Sequence, residues 1–257
     1  MALPWTNAMN KKGNVLVVGG SEEFVGAPYL AAIAALRSGA ESVIVMAPER
    51  VAWAINTLSP DLMTRKLKGT HLSKKHERAI RKQMKTVDIL VLGNGAGTKP
   101  VTAALMRSLM RSPLPKIIDA DALKVLRGTS VKNAILTPNE GEWHLLETQS
   151  DIRALLKNGN VIVKKGFPTK ILSKGETIVR QTNRGLRKAG TGDVLAGLVA
   201  GYLAQGLSPA RAVQEACKTG NAIATVLTKK KKGHYFLASD IAEELTVVSS
   251  RSGKVAG

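Results

Sequence analysis

A single cysteine, Cys217, leaves the chain no internal disulfide, and with only four histidines it forms no cluster at zinc-ligand spacing. A disulfide scaffold and a structural zinc module are thereby excluded, and a reducing compartment is expected. Aromatic residues are scarce, at 4%, within a hydrophobic total of 44%. A core built from Val, Ile, Leu and Ala suits parallel strands buried on both faces and argues against a long β-sandwich. No run reaches the roughly 18 uninterrupted apolar residues of a membrane span, and Met1 to Lys12 lacks the apolar run of a signal peptide. A cytoplasmic, soluble protein with no membrane partner is expected. Acids are also few: 19 Asp and Glu face 38 Lys and Arg, leaving a formal charge of +19. Such a balance attracts polyanions. Yet the basic residues are spread over Arg65 to Lys68, Lys74 to Lys85 and Lys229 to Lys232 and lack interleaved aromatics for base stacking, so no specific nucleic-acid binding is expected.

What is present is an alternation of strand and helix signals over most of the 257 residues, the pattern of a parallel sheet with crossover helices. It predicts one domain over 1–257, with 1–12 as an extension and 249–257 as a frayed tail. Strands are expected at Asn14 to Val18, Ser42 to Met46, Val87 to Leu92, Lys116 to Ile118, Ala134 to Leu136 and Val161 to Val163. A hairpin is expected from Lys170 to Leu172 and Thr177 to Val179. Helices are expected over Gly26 to Arg37, from Pro48, over Lys74 to Lys85, and then over Asp193 to Ala204, Pro209 to Leu227 and Ala238 to Leu245. Two acidic turns, Asp119-Ala120-Asp121 and Thr137 to Glu142, follow strands, at the sheet edge where ligands bind in open parallel sheets.

Four segments carry candidate chemistry. Ala189-Gly190-Thr191-Gly192-Asp193 empties into an apolar helix, so its amides and the helix dipole can hold an anion; Asp193 is then either a reactive acid or a plain helix cap. Asn139 and Glu142, three apart at a helix start, can hold hydrated Mg²⁺ or simply open the helix. Gly93-Asn94-Gly95-Ala96-Gly97 fits neither the P-loop nor the dinucleotide pattern, and reads as a close backbone approach to a ligand or as a tight turn. Lys164 and Lys165 end a buried strand, where an ammonium can neutralise a diphosphate or stand in solvent. His71, His76, His144 and His234 read as surface or packing residues, and Cys217 as an inert core thiol.

In this order, Gly19-Gly20-Ser21 with Gly26-Ala27, Gly93-Asn94-Gly95, Asp119 to Leu123, Thr137-Pro138-Asn139 with Gly141-Glu142, Lys165-Gly166 and Gly190-Thr191-Gly192-Asp193 resemble the nucleotide-dependent NAD(P)H-hydrate dehydratases. The resemblance covers nearly the whole chain. It implies a ribokinase-like three-layer α/β/α fold with a central, mostly parallel sheet. It also implies an activity: ADP- or ATP-dependent dehydration of hydrated NADH or NADPH back to the reduced cofactor, with Mg²⁺. Asp193 would be the catalytic base and Gly190, Thr191 and Gly192 the anion hole. Ala27, Gly95, Asn139 and Asp193 would contact the hydrate; Lys165, Gly166, Phe167, Pro168 and Thr169, with Gly192, would contact the nucleotide. Glu142 and Asp119 are the candidate metal carboxylates. Relatives' homotetramers imply a homo-oligomer, and the companion epimerase domain of some relatives is not expected before the first strand.

Three positions depart from the family: Asn139 replaces a usual His, Asn94 a usual Pro, and Ala189 a usual Gly. Asn139 also completes the Asn-x-x-Glu pattern of the small-molecule kinases, so a kinase acting on a vitamin-precursor or sugar-like alcohol is the alternative. A non-catalytic nucleotide or nucleic-acid binder is a third reading, resting on the +19 charge alone.

Overall fold

The computed structural model describes residues 13–179 and 183–252. One nine-stranded sheet runs through it: β1 (Asn14–Val18), β2 (Ser42–Pro48), β3 (Met63–Leu67), β4 (Ile89–Leu92), β5 (Lys116–Ile118), β6 (Ala134–Leu136), β7 (Val161–Lys164), β8 (Thr169–Leu172) and β9 (Glu176–Val179). The order across the sheet is β3-β2-β1-β4-β5-β6-β7-β8-β9. β1 to β7 pair in parallel, and β7, β8 and β9 pair antiparallel.

Alternation along each strand feeds two separate cores. Val15 and Val17 of β1 face one, and Leu16 and Val18 face the other. The first is closed by α1 (Gly26–Arg37), α2 (Glu49–Leu58), α8 (Thr191–Ala204), α9 (Pro209–Lys230) and α10 (Ala238–Ser252). The second is closed by α3 (Glu77–Met84), α4 (Pro100–Met110), α5 (Asp121–Lys124), α6 (Glu140–Gln149) and α7 (Ile152–Lys157). Three layers result, as expected. Within the first layer α8 lies very close to α1: a Cβ on Gly197 would fall 2.2 Å from the Ala31 carbonyl oxygen, and one on Gly201 2.0 Å from Ser38 Oγ. Only glycine permits that approach.

Several elements differ from the expectation. β3 was not foreseen, because Thr64, Arg65 and Lys66 break its apolar pattern; it is an edge strand in which only Leu67 is buried. α4 was not foreseen either, although it buries Leu105, Met106 and Leu109. Pro48 ends β2 and caps α2 rather than opening the helix. Lys74 to Lys85 divides into a 3-10 turn, Lys74–His76, and α3. His76 is buried there: its Nδ1 accepts the Ser73 amide at 3.2 Å, and its Nε2 lies 3.0 Å from the Lys68 carbonyl. Burial holds its pKa below the usual value. α10 continues to Ser252, into the segment expected to fray. Residues 1–12 and 253–257, also part of those expectations, lie outside the described residues.

The strand order reverses between β1 and β4, the switch point where loops diverge and leave a crevice. There the Gly20 amide donates to the Asn94 carbonyl at 2.9 Å. A Cβ on Gly19 would fall 2.3 Å from that same oxygen. The loops after β1 and β4 are thus locked backbone to backbone at the mouth of the crevice.

Candidate active site

After β4, Gly93 adopts φ +110°, a left-handed conformation that lets the chain turn without a side chain. A Cβ there would strike the Asp119 carbonyl oxygen at 2.2 Å, so the β4 and β5 turns pack tightly. The next residue, Asn94, is fully buried and spends its two amide hydrogens on two acids. It donates to Asp193 Oδ1 at 2.7 Å and to Asp119 Oδ2 at 3.2 Å. Its carbonyl oxygen Oδ1 has no hydrogen-bond partner. Both acids need donors, which fixes the orientation of the amide.

Asp119, 1% exposed, also accepts Thr137 Oγ1 at 2.7 Å and Lys165 Nζ at 3.0 Å. It follows β5 and precedes Ala120, whose φ of +50° is strained for a residue with a Cβ. Asp121, next in line, accepts the Gly97 amide at 2.9 Å and pairs with Lys124 at 2.8 Å, tying the β4 and β5 turns together. Burial opposes the Lys165 ammonium, but Asp119, Glu142 and Asp193 outweigh it and hold its pKa above the usual lysine value.

Asp193 stands in the first turn of α8, whose cap, Gly190, is left-handed at φ +84°. Burial, with Asp119 adding to it, pushes the Asp193 carboxyl up to about 7, against the pull of Asn94 and Lys165. The Thr191 hydroxyl lies 2.6 Å from the Leu186 carbonyl and 2.8 Å from that of Lys188, so it braces the preceding loop. The Thr191 amide is engaged by the Lys188 carbonyl at 3.2 Å, which leaves the amides of Gly192 and Asp193 as the outward donors of the first turn. A Cβ on Gly192 would come within 3.0 Å of Lys165 Nζ, so loop and ammonium face the same point.

A cavity of about 820 Å³ opens there, lined among others by Asp119, Lys165, Gly190, Gly192, Asp193 and Arg187. Gly166, Phe167 and Pro168 reach its wall, as does Asn139. Thr169 does not; it is buried, and its hydroxyl closes a turn on the Gly166 carbonyl at 3.1 Å. Ala27 and Gly95 are not part of this wall but meet each other: a Cβ on Gly95 would lie 3.1 Å from Ala27 Cβ. Gly95 directly follows Asn94, whose amide reaches Asp193.

Asn139 caps α6 in a reciprocal box: its Oδ1 accepts the Glu142 amide, and Glu142 Oε2 accepts the Asn139 amide, each at 2.9 Å. The helix-start reading of this pair is thus what the geometry shows, and Glu142 also lines the cavity. Burial holds the Glu142 carboxyl above the usual range, against Lys165 and the Asn139 amide. Among the described residues no group of three or more His, Cys, Asp or Glu is arranged to hold a metal ion, so Asp119 and Glu142 do not make a closed metal centre. Cys217 lines the cavity as a buried thiol, pushed up to about 12 by burial and hence inert.

The sequence reading placed Asn94, Thr137 and Asp121 inside its candidate segments but assigned none of them a role of its own. The signal for Asn94 was its place: a polar side chain held between two glycines directly after a fully apolar strand.

A family model described as NAD(P)H-hydrate dehydratase matches residues 15–247. The bifunctional NAD(P)H-hydrate repair enzyme Nnr of Pyrobaculum aerophilum is 35% identical over 255 residues, covering 93% of this chain and 51% of that protein. The chain thus spans about half the length of the curated relatives it matches. The ADP/ATP-dependent NAD(P)H-hydrate dehydratase of Bacillus subtilis, co-crystallised with ATP and Mg²⁺ and soaked with CoA, superposes with a TM-score of 0.76. It is 25% identical, with 94% of this chain and 93% of that one covered. A ribokinase-like superfamily protein of Enterococcus faecalis, at TM-score 0.79 and 22% identity over 94% and 89% of the two chains, shares the fold.

Proposed function

Given that this chain belongs to the NAD(P)H-hydrate dehydratase family, we propose that it restores hydrated NADH or NADPH to the reduced cofactor at the expense of ADP or ATP. The observation that carries the reading is Asp193: a carboxylate in the first turn of α8, held by Asn94 at 2.7 Å and opening on a cavity of about 820 Å³.

In this proposal Asp193 accepts the proton of the ring hydroxyl as that oxygen takes the terminal phosphoryl group of the nucleotide, releasing AMP or ADP. The amides of Gly192 and Asp193, with Lys165, face the charge that builds on the transferred group. The ring nitrogen then expels phosphate, the adjacent ring carbon gives up a proton, and the double bond returns. The hydrate lies on the side of Ala27 and Gly95; the nucleotide lies along Lys165 to Pro168. Thr169 supports that loop from beneath.

Mg²⁺ fits this site as a hydrated ion accompanying the polyphosphate, since it keeps several waters and needs few protein oxygens. Glu142 and Asp119, the carboxylates of the cavity wall nearest Lys165, would hold it. When bound it neutralises phosphate charge. The kinase alternative is not favoured, because the family match falls on the dehydratase branch.

Phosphorus NMR of a reaction with hydrated NADH, Mg²⁺ and either nucleotide tests the proposal. One free phosphate released per reduced cofactor recovered supports it. A phosphate ester retained on the organic product contradicts it and favours a kinase.

A further inference from the structure

Five cations line the cavity: Lys164, Lys165, Lys170, Arg187 and Lys188. Three are tied to oxygens. Lys165 pairs with Asp119 at 3.0 Å, Lys170 pairs with Glu176 at 3.3 Å, and Lys188 donates to the carbonyls of His234 and Phe236. The other two rest on aromatic faces: Lys164 Nζ lies 4.7 Å from the Trp143 ring centre, and Arg187 Cζ lies 6.0 Å from that of Phe167. Among the described residues no carboxylate pairs with Arg187. Without a carboxylate partner, its guanidinium offers a planar fork of donors that matches two phosphate oxygens.

The segment that carries Arg187 is firmly fixed. The 3-10 turn Arg184–Arg187 is opened by Asn183, whose Oδ1 accepts the Gly185 amide at 2.9 Å. Asn183 Nδ2 donates to the Ala224 carbonyl at 2.8 Å and to Thr228 Oγ1 at 2.7 Å, anchoring the turn to α9. Phe236 packs onto Gly185, where a Cβ would fall 2.2 Å from its ring. The Thr191 hydroxyl reaches the carbonyls on either side of Arg187, those of Leu186 and Lys188. Arg187 is therefore pinned to the same loop that presents the Gly192 and Asp193 amides.

We propose that Arg187 is a nucleotide-binding residue that grips the phosphate chain of the donor, beside the anion hole. This rests on the nucleotide-dependent reading given above. The strongly hydrated Lys164 is the weaker candidate, because an ammonium offers a point charge where the guanidinium offers a paired contact.

Calorimetric titration of ADP and of ATP into wild type, Arg187→Ala and Arg187→Lys, with thermal unfolding and steady-state kinetics alongside, tests it. Arg187→Ala should weaken both nucleotides by roughly 10- to 100-fold. KM for nucleotide should rise accordingly, kcat at saturation should stay within about threefold and Tm should not move, because the turn is braced by backbone and neighbouring groups. Arg187→Lys should recover part of the affinity. Wild-type affinity in Arg187→Ala overturns the proposal, and so does a loss that comes with a lowered Tm and is not recovered by lysine. A wild-type protein that binds neither ADP nor ATP instead removes the nucleotide-dependent reading itself.

Discussion

Asp193 meets two opposing demands. A base must be ionised near neutral pH, yet burial and Asp119 push its carboxyl up to about 7. The rate with hydrated cofactor should therefore rise with pH through about 7 and then level off, as expected for a base titrating near its working pH. Folding stability runs the other way. The native state keeps this proton to about 7 while the unfolded chain releases it near 3.8, so stability is lost as pH rises through that window. Asp193→Asn should lower kcat at least about a hundredfold with nucleotide affinity nearly unchanged. The same variant should be more stable than wild type by about 1–3 kcal/mol at pH 8, the gain vanishing near pH 4. Kinetics and denaturant titration at the two pH values check both, and unchanged turnover would remove Asp193 from the mechanism. Asn94 donates to Asp193 and favours its ionised form, so Asn94→Ala should move the midpoint of the pH–rate profile upward. An unmoved midpoint would reduce Asn94 to a packing role. In the sequence Asp193, Lys165 and the glycine loop were legible because each stands in a distinctive local pattern. Asn94 was not, because its meaning depends on two acids 25 and 99 residues away.

At the scale of elements, α8 does two jobs: its first turn faces the cavity and its glycines admit α1. Gly197→Val should destabilise the protein by at least about 2–3 kcal/mol, since its side chain meets the Ala31 carbonyl and Ala34 Cβ with nowhere to move. Chemical denaturation measures this, and a neutral result would show that the two helices can separate. The strands that position the site were legible from their apolar runs, as were α1, α8 and α9. β3 was hidden because an edge strand needs to bury little: its neighbour β2 supplies the hydrogen bonds, and Arg65 and Lys66 remain in solvent. α4 was passed over because it begins just after a glycine-rich turn that drew the reading toward a ligand loop. The 3-10 turn before α3 depends on the His76 capping box, and a histidine's buried partners are not visible in one sequence.

Across the whole molecule, the switch between β1 and β4 gathers Asn94, Asp119, Lys165 and Asp193 at one edge of the sheet. Around it the chain carries a formal charge of +19, while both proposed ligands are polyanions. A positive field raises encounter rates and is screened by salt. Raising ionic strength from about 0.05 to about 0.5 M should therefore lower kcat/KM severalfold with kcat little changed. A salt-independent kcat/KM would leave the charge without a role in substrate capture. Among the described residues no helix is long and apolar enough to cross a membrane.

The most direct test of the central claim follows absorbance at the reduced-nicotinamide band as the protein acts on hydrated NADH or NADPH with Mg²⁺. It is run with ADP, with ATP and with no nucleotide, for wild type and Asp193→Asn. The expected result is recovery of the reduced cofactor by wild type only when a nucleotide is present, with Asp193→Asn at least about a hundredfold slower. Wild-type protein that binds nucleotide yet recovers no reduced cofactor with either donor would contradict the account.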